Sequence, residues 1–360
     1  MAAACFLATP GRHPRMTHEC EGDPIGRIIR ICREMSRFTH SQGRHVSDRG
    51  LAVCNKPHDP FCLTRHTIRI EKRVTTLRRL LEVFSVVLPL AACSPATLLN
   101  AFVPSDGYVL QKDVAYGDAE RQVMDIYRPE DGSEDRTENA PVVVFFYGGS
   151  WKSGNRSSYR FMGEALARSG FVVAVPDYRL YPDVRFPDFV EDGARAVRWV
   201  STHVREFGGD PGRIILMGHS AGAHIAALLG FDERYLARQG VPGASLRGFI
   251  GVAGPYAFDP LAYRSTKPIF SGLADTDQAR PITFVGGEDV AALLLHGADD
   301  RTVFPQNSRD FAARIRDAGG RVKLLEYDDT GHIKIILSFA ALFRGRDTVY
   351  EDTIGFLKSL

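Results

Sequence analysis

Short, almost wholly apolar segments recur along the chain from about residue 107 onward, separated by polar and glycine-containing stretches. Because these segments are continuously apolar rather than alternating, they are typical of strands buried on both faces of a parallel sheet. The predicted strands are Pro141–Phe146, Phe171–Val175, Ile214–Met217, Phe249–Ala253, Ala291–Leu295 and Val322–Tyr327.

Helical periodicity fills the stretches between these strands. From Phe186 to Phe207 apolar residues return every three or four positions, which predicts one buried helix face that ends at Gly208-Gly209-Asp210-Pro211. Similar patterns cover 157–169, 305–318 and 347–359. Strands alternating with helices predict an α/β fold, with a mostly parallel central sheet and helices on both faces. The widest interval, Phe258 to Asp289, predicts a small cap.

Charge and cysteine divide the chain into a basic leader and a folded domain. Residues 1–93 hold 15 Lys/Arg against 8 Asp/Glu (net +7), whereas the remainder holds 30 against 35 (net −5). The acidic balance of the domain, which we place at 107–360, predicts no nucleic-acid partner. All six cysteines precede residue 94 in no zinc-site spacing, so we expect neither a metal nor a disulfide in the domain.

The leader contains a candidate export signal. Basic residues from Lys72 to Arg79 precede the apolar run Val83–Leu90, which is too short to span a membrane. Leu90-Ala91-Ala92-Cys93 resembles the bacterial lipobox, which implies lipidation of Cys93, a membrane tether and a cell-envelope or periplasmic location. The alternative is a leader helix that packs on the domain of a cytoplasmic protein.

The position of this signal, at 74–93, is unusual because a signal should begin a chain. We therefore hypothesise that translation of the native protein starts near Val74 and that residues 1–73 lie upstream of that start or are disordered. We interpret residues 94–106 as a linker.

Gly218-His219-Ser220-Ala221-Gly222 lies between a predicted strand and a run of small residues. A serine flanked by glycines at a strand-to-helix turn is typical of a nucleophile elbow, in which the hydroxyl is exposed at the top of the sheet. The pattern is short and also occurs by chance, so it indicates a nucleophile only if a candidate base and a candidate acid accompany it.

A serine nucleophile needs a base and a carboxylate, which follow it in the order Ser, Asp/Glu, His when the serine lies on such an elbow. Of the later histidines, His224 lies on the nucleophile helix and His296 precedes any carboxylate of its loop. His332 follows the last strand and is the predicted base. Asp299 and Asp300 both remain candidates for the acid.

A glycine-rich loop, Tyr147-Gly148-Gly149-Ser150-Trp151, follows the first long strand. Its backbone N–H groups, with that of Ala221, are candidates for an oxyanion hole. Tyr147 and Trp151 either wall a substrate pocket or are core aromatic residues, and the sequence favours neither.

Together these motifs resemble the α/β-hydrolase esterase/lipase group, in particular bacterial carboxylesterases with a feruloyl-esterase-like domain. The resemblance covers residues 107–360 and rests on Tyr147–Trp151, Asp177-Tyr178-Arg179-Leu180, Gly209–Ile214, Gly218–Gly222 and Gly331-His332-Ile333. It implies an α/β-hydrolase fold and a triad of Ser220, Asp300 and His332, with Asp300 preferred to Asp299. It also implies an oxyanion hole of Gly149, Ser150 and Ala221.

The chain departs from the motif of related lipases in the predicted oxyanion loop. Those lipases carry His-Gly-Gly-Gly where this chain has Tyr147-Gly148-Gly149-Ser150. The function implied is hydrolysis of a small-molecule ester with a short or medium acyl or an aryl group, through an acyl-enzyme and without a cofactor. The alternatives are an arylformamidase or peptidase with the same triad, or a non-catalytic, surface-anchored binding protein.

Overall fold

An eight-stranded sheet forms the centre of the described part of the chain, which in this computed structural model comprises residues 99–130, 139–286 and 290–360. The strands are β1 Tyr108–Ala115, β2 Val123–Pro129, β3 Ala140–Phe146, β4 Val172–Pro176, β5 Gly209–His219, β6 Leu246–Val252, β7 Ala291–Gly297 and β8 Val322–Tyr327. Their order across the sheet is β1-β2-β4-β3-β5-β6-β7-β8.

Strand direction is parallel from β4 across the sheet to β8, and β2 alone runs against its two neighbours. The mostly parallel sheet predicted from the apolar runs is therefore confirmed, and all six predicted strands are present. The sequence pattern missed β1 and β2. β1 is an edge strand with seven exposed or half-buried positions, at which polar and apolar residues are mixed, so it lacks a continuous apolar run.

Seven α-helices connect or flank the described strands. They are α1 Arg160–Ala167, α2 Asp188–His203, α3 Ala221–Phe231, α4 Glu233–Arg238, α5 Gln306–Asp317, α6 Lys334–Leu337 and α7 Val349–Ser359. Short 3₁₀ helices occupy Arg156–Tyr159, Val204–Phe207, Gly243–Ser245, Thr276–Ala279 and Pro281–Phe284. The four helical stretches predicted from periodicity contain α1, α2, α5 and α7. The stretch that contains α2 continues as the 3₁₀ helix Val204–Phe207 and ends at Gly208, which has the left-handed conformation with φ +81°.

The predicted cap, as far as residue 286, consists of turns and two 3₁₀ helices. Its Phe258 and Phe270 rings pack against Trp151, with centroids 5.9 and 5.0 Å away. Within the described ranges, no helix is long and apolar enough to cross a membrane. The predicted leader, export signal and Cys93 lie outside the described residues, so these remain predictions.

Helix α3 is the buried element that follows Ser220. Apart from His224 it is apolar on every side, and apart from Gly230 its residues are buried; it packs against β3, β5 and β6. Its first turn approaches the end of β3 so closely that a Cβ on Gly222 would lie 2.0 Å from the carbonyl oxygen of Phe146. The backbones touch here, and only a glycine allows the contact.

We expect Gly222→Ala to destabilise the fold by roughly 3 kcal/mol or more, because the added methyl group meets backbone atoms that cannot rotate away. Urea unfolding measures the loss. Gly230→Ala in the same helix is the matched control, since a Cβ there meets only side-chain atoms at 3.8 Å or farther. That variant should be as stable as the wild type or slightly more so, and equal stability of the two variants would contradict the packing argument.

Candidate active site

Ser220 occupies a strained turn between β5 and α3. Its φ of +54° and ψ of −121° lie outside the regions that a serine ordinarily adopts, at a cost of about 1–3 kcal/mol. A hydrogen bond from its N–H to the carbonyl of Val252, 2.9 Å long, holds the turn against β6. The geometry is that of the predicted elbow, and the side chain lies at the carboxyl end of β5.

His332 lies on the loop after β8 and faces the serine. Its Nε2 is 2.8 Å from the Ser220 hydroxyl, and its Nδ1 is 2.7 Å from Oδ2 of Asp300. With Nδ1–H donating to the carboxylate, Nε2 carries a lone pair that can accept the serine proton. The structure thus brings together the three residues predicted as nucleophile, base and acid, although 112 positions separate the first two in sequence.

Asp300 is buried, whereas its neighbour Asp299 is exposed. Oδ1 of Asp300 accepts hydrogen bonds from the backbone N–H groups of Thr302 and Val303, at 2.8 and 2.9 Å. Burial acts to raise the pKa of Asp300, but hydrogen bonds from His296, His332 and the Val303 N–H hold it below the usual range. The carboxylate is therefore ionised and fixed in orientation.

The acid and base loops meet because their strands are neighbours. β7 and β8 pair in parallel, with Gly297 opposite Tyr327, so the two loops leave the same edge of the sheet. The N–H of Asp299 donates to the carbonyl of Thr330 at 3.0 Å and joins the loops directly.

The glycine-rich loop after β3 lies against the elbow. A Cβ on Gly148 would be 3.1 Å from Cβ of Ser220. Gly149 and Ser150 have φ values of +141° and +53°, so the loop turns sharply. Among the described residues, the backbone N–H groups of Gly149, Ser150 and Ala221 have no hydrogen-bond acceptor. Their role as an oxyanion hole remains a prediction.

Tyr147 supports this loop from within the core. Its fully buried hydroxyl donates to Oδ1 of Asp177 at 2.7 Å and accepts from Arg121 at 2.9 Å. Arg121 also donates to the carbonyl of Gly154, and the Tyr178 hydroxyl donates to the carbonyl of Tyr147. Tyr147 therefore lies among the core aromatic residues, with its hydroxyl bound on the core side of the loop, and its role as a wall of a substrate pocket stays a prediction.

Trp151 is 3% exposed and lies in an aromatic cluster with the cap residues Phe258 and Phe270 and with His224 of α3. It follows Ser150 directly, so a role in a substrate pocket stays a prediction. No sequence pattern pointed to Arg121, which lies in the turn between β1 and β2 and reaches the loop only through the fold.

The two histidines excluded as base have structural contacts. His224 is buried, and its Nε2 donates to the carbonyl of Ala279 at 2.8 Å. His296 lies under the acid loop, with Nε2 2.8 Å from the carbonyl of Val303 and Nδ1 2.7 Å from the Ser308 hydroxyl. In the ranges that the structure covers, no cluster of three His, Cys, Asp or Glu side chains could hold a metal ion.

Comparison with known proteins finds similarity to one family model and to several esterases. The family model described as BD-FAE matches residues 124–247. A probable isoprenylcysteine alpha-carbonyl methylesterase of Oryza sativa subsp. japonica is 33% identical over 68% of this chain and 63% of its own length. Esterase LipC of Mycobacterium tuberculosis is 31% identical over 62% and 60%, respectively. The chain thus spans less than two thirds of either relative.

Among solved structures, Thermogutta terrifontis esterase 2 phosphorylated by paraoxon aligns with a TM-score of 0.56 and 24% identity. The alignment covers 71% of this chain and 94% of that one. At this identity the likeness shows a shared fold.

We expect Tyr147→Phe to lower kcat about tenfold with little change in KM, because the oxyanion loop loses its bond to Asp177. Unfolding should also require about 1–3 kcal/mol less free energy. Tyr350→Phe is the control, since the Tyr350 hydroxyl bonds Ser169, far from this loop. That variant should lose stability without losing kcat, and the same kcat in both variants would contradict the role of Tyr147.

Two buried histidines predict a dependence of stability on pH. Burial, with the charge of His332, lowers the pKa of His219 to about 3, and burial lowers that of His224 to about 4. Both pKa values lie below the unfolded value of 6.5, so stability is complete above pH 6.5 and is lost as pH falls towards the folded values.

Between pH 7 and pH 5 each histidine should remove about 2 kcal/mol from the free energy of unfolding. Urea titrations at the two pH values measure this change, and His224→Gln should abolish about half of it. A free energy of unfolding that is equal at both pH values would contradict the prediction.

Proposed function

We propose that this chain, which belongs to the esterase/lipase group of the α/β-hydrolases, hydrolyses carboxylic esters through an acyl-enzyme on Ser220. The observation that carries the proposal is the continuous hydrogen-bonded chain from Ser220 through His332 to Asp300. Each of the three residues lies at the carboxyl end of a strand or on the loop that follows one, where ligands of α/β sheets bind. Two esterases among the relatives support the same chemistry.

In the proposed acylation step, Oγ of Ser220 attacks the ester carbonyl while Nε2 of His332 takes the hydroxyl proton. The carbonyl π electrons move to oxygen, and the resulting oxyanion accepts hydrogen bonds from the N–H groups of Gly149, Ser150 and Ala221. Asp300 stabilises the imidazolium and keeps Nδ1 protonated. Collapse of the tetrahedral intermediate expels the alcohol, which takes its proton from Nε2.

Deacylation repeats these steps with water as the nucleophile. His332 removes a proton from water, hydroxide adds to the acyl carbonyl, and Ser220 leaves with the proton returned by His332. The carboxylic acid departs and the enzyme regains its starting state. Apart from the ester and one water molecule, no group outside the chain is needed to balance the two half-reactions.

For the substrate we propose esters with a short or medium acyl chain or an aryl group. The rice relative is named as a probable methylesterase, which is consistent with a small leaving alcohol. Hydrolysis rates for p-nitrophenyl esters of increasing acyl length, measured beside a formanilide and a peptide amide, test this. A higher kcat/KM for the amides would favour the arylformamidase or peptidase alternative.

The full chain should be labelled by a fluorophosphonate and should hydrolyse p-nitrophenyl acetate. Ser220→Ala should remove both activities, because Oγ of Ser220 is the attacking atom. The unfolding transition should not change. Ser359→Ala, at an exposed serine of α7, should behave as wild type. A folded wild type that takes no label would overturn the assignment and favour a non-catalytic binding protein.

The same assays distinguish the two candidates for the acid of the triad, Asp300 and Asp299. Asp300→Asn should lower kcat by about 10⁴-fold, because the amide no longer holds the correct tautomer of His332. Asp299→Asn should leave kcat unchanged, since its side chain is exposed. The reverse ranking would show that the acid had been misassigned.

A further inference from the structure

His219 is a buried imidazole that the proposed mechanism does not use. It is the last residue of β5, directly before Ser220, and is 2% exposed. Its Nε2 lies 3.0 Å from the main-chain carbonyl oxygen of His332, and the two rings are 4.9 Å apart between centroids. Within the described part of the chain, this is the hydrogen bond that the His332 carbonyl accepts.

The chemistry of this contact fixes the state of His219. A carbonyl oxygen can only accept, so Nε2 must carry the proton and donate it. Burial, with the charge of His332, lowers the pKa of His219 to about 3, so the ring is neutral at neutral pH. The other nitrogen, Nδ1, is then a lone-pair acceptor, and it has no hydrogen-bond partner among the described residues.

The remaining side of the ring faces the glycine-rich loop. A Cβ on Gly148 would lie 2.9 Å from Nδ1 of His219. One ring therefore contacts the backbone that supports the oxyanion hole and bonds the backbone that carries the base. Both contacts are made next to the nucleophile.

We propose that His219 is a positioning residue, which holds the main chain of His332 so that Nε2 of the base stays in line with the Ser220 hydroxyl. The proposal rests on the function proposed above for Ser220 and His332. The hydrogen bond of His219 is to the main chain of His332 and not to its imidazole nitrogens, so His219 acts through the loop after β8.

A neutral donor is the group that this position requires. His332 gains a positive charge each time it takes the serine proton, and a cationic donor at 4.9 Å would oppose that charge. An aliphatic residue would leave the carbonyl of His332 without its hydrogen bond in a buried site. A carboxylate would place two acceptors against each other.

The test compares His219→Gln with His219→Met in the full chain. The two side chains are unbranched and of similar length, but only glutamine can donate a hydrogen bond to the carbonyl. Met should lower kcat by roughly 10²-fold with little change in KM, because a shift of about 1 Å in a catalytic group costs that much. Gln should recover most of the loss, and the rate of fluorophosphonate labelling should follow kcat in both variants.

His203→Gln, at a histidine on α2 outside the site, is the matched control and should leave kcat and KM unchanged. Unfolding midpoints of all three variants show whether a loss of kcat merely follows a loss of stability. Equal kcat in the Gln and Met variants, or a Met variant as active as wild type, would overturn the proposal. Failure of the proposed function is seen separately, as an unlabelled wild-type protein.

Discussion

The contact between the first turn of α3 and the end of β3 is the constraint on which the site depends. At Gly222 the helix backbone lies against the Phe146 carbonyl with no room for a side chain. Two residues before this contact Ser220 has its positive φ, and the glycine-rich loop that follows β3 lies against Ser220 at Gly148. The start of α3 and the glycine-rich loop are therefore held next to each other by a close backbone approach, and side chains support the loop from its other side. The helix that follows is buried except at Gly230.

The acid and base depend on a second backbone feature, the parallel pairing of β7 and β8. Parallel strands bring their carboxyl ends to one edge, so that loops distant in sequence emerge side by side. The bond between Asp299 and Thr330 then joins these loops, and His219 joins the base loop to the elbow. The triad geometry is thus built from main-chain interactions, with side chains adding orientation.

A third set of interactions holds the glycine-rich loop Tyr147–Trp151, the proposed oxyanion loop, from the opposite side. Asp177 accepts hydrogen bonds from Tyr147 and from both the backbone and the guanidinium of Arg156. Arg156 also bonds Asp125 on β2, so the loop is tied to the antiparallel part of the sheet. Because these charges are buried or half-buried and paired, they orient the loop without leaving an unsatisfied ion. The tyrosine that replaces the histidine of related lipases has a defined place in this network.

The sequence by itself determined the fold class, the six central strands and the identity of Ser220, His332 and Asp300 as candidates. It could do so because continuous apolar runs, helical periodicity and a glycine-flanked serine are local patterns, and because strand order restricts where a base and an acid can occur. Only the tertiary structure decided that Tyr147 belongs to the core, that Arg121 reaches the oxyanion loop and that His219 holds the base loop. Those contacts join residues up to 113 positions apart. Their formation depends on which backbones the sheet brings within hydrogen-bond distance, and no local pattern encodes that distance.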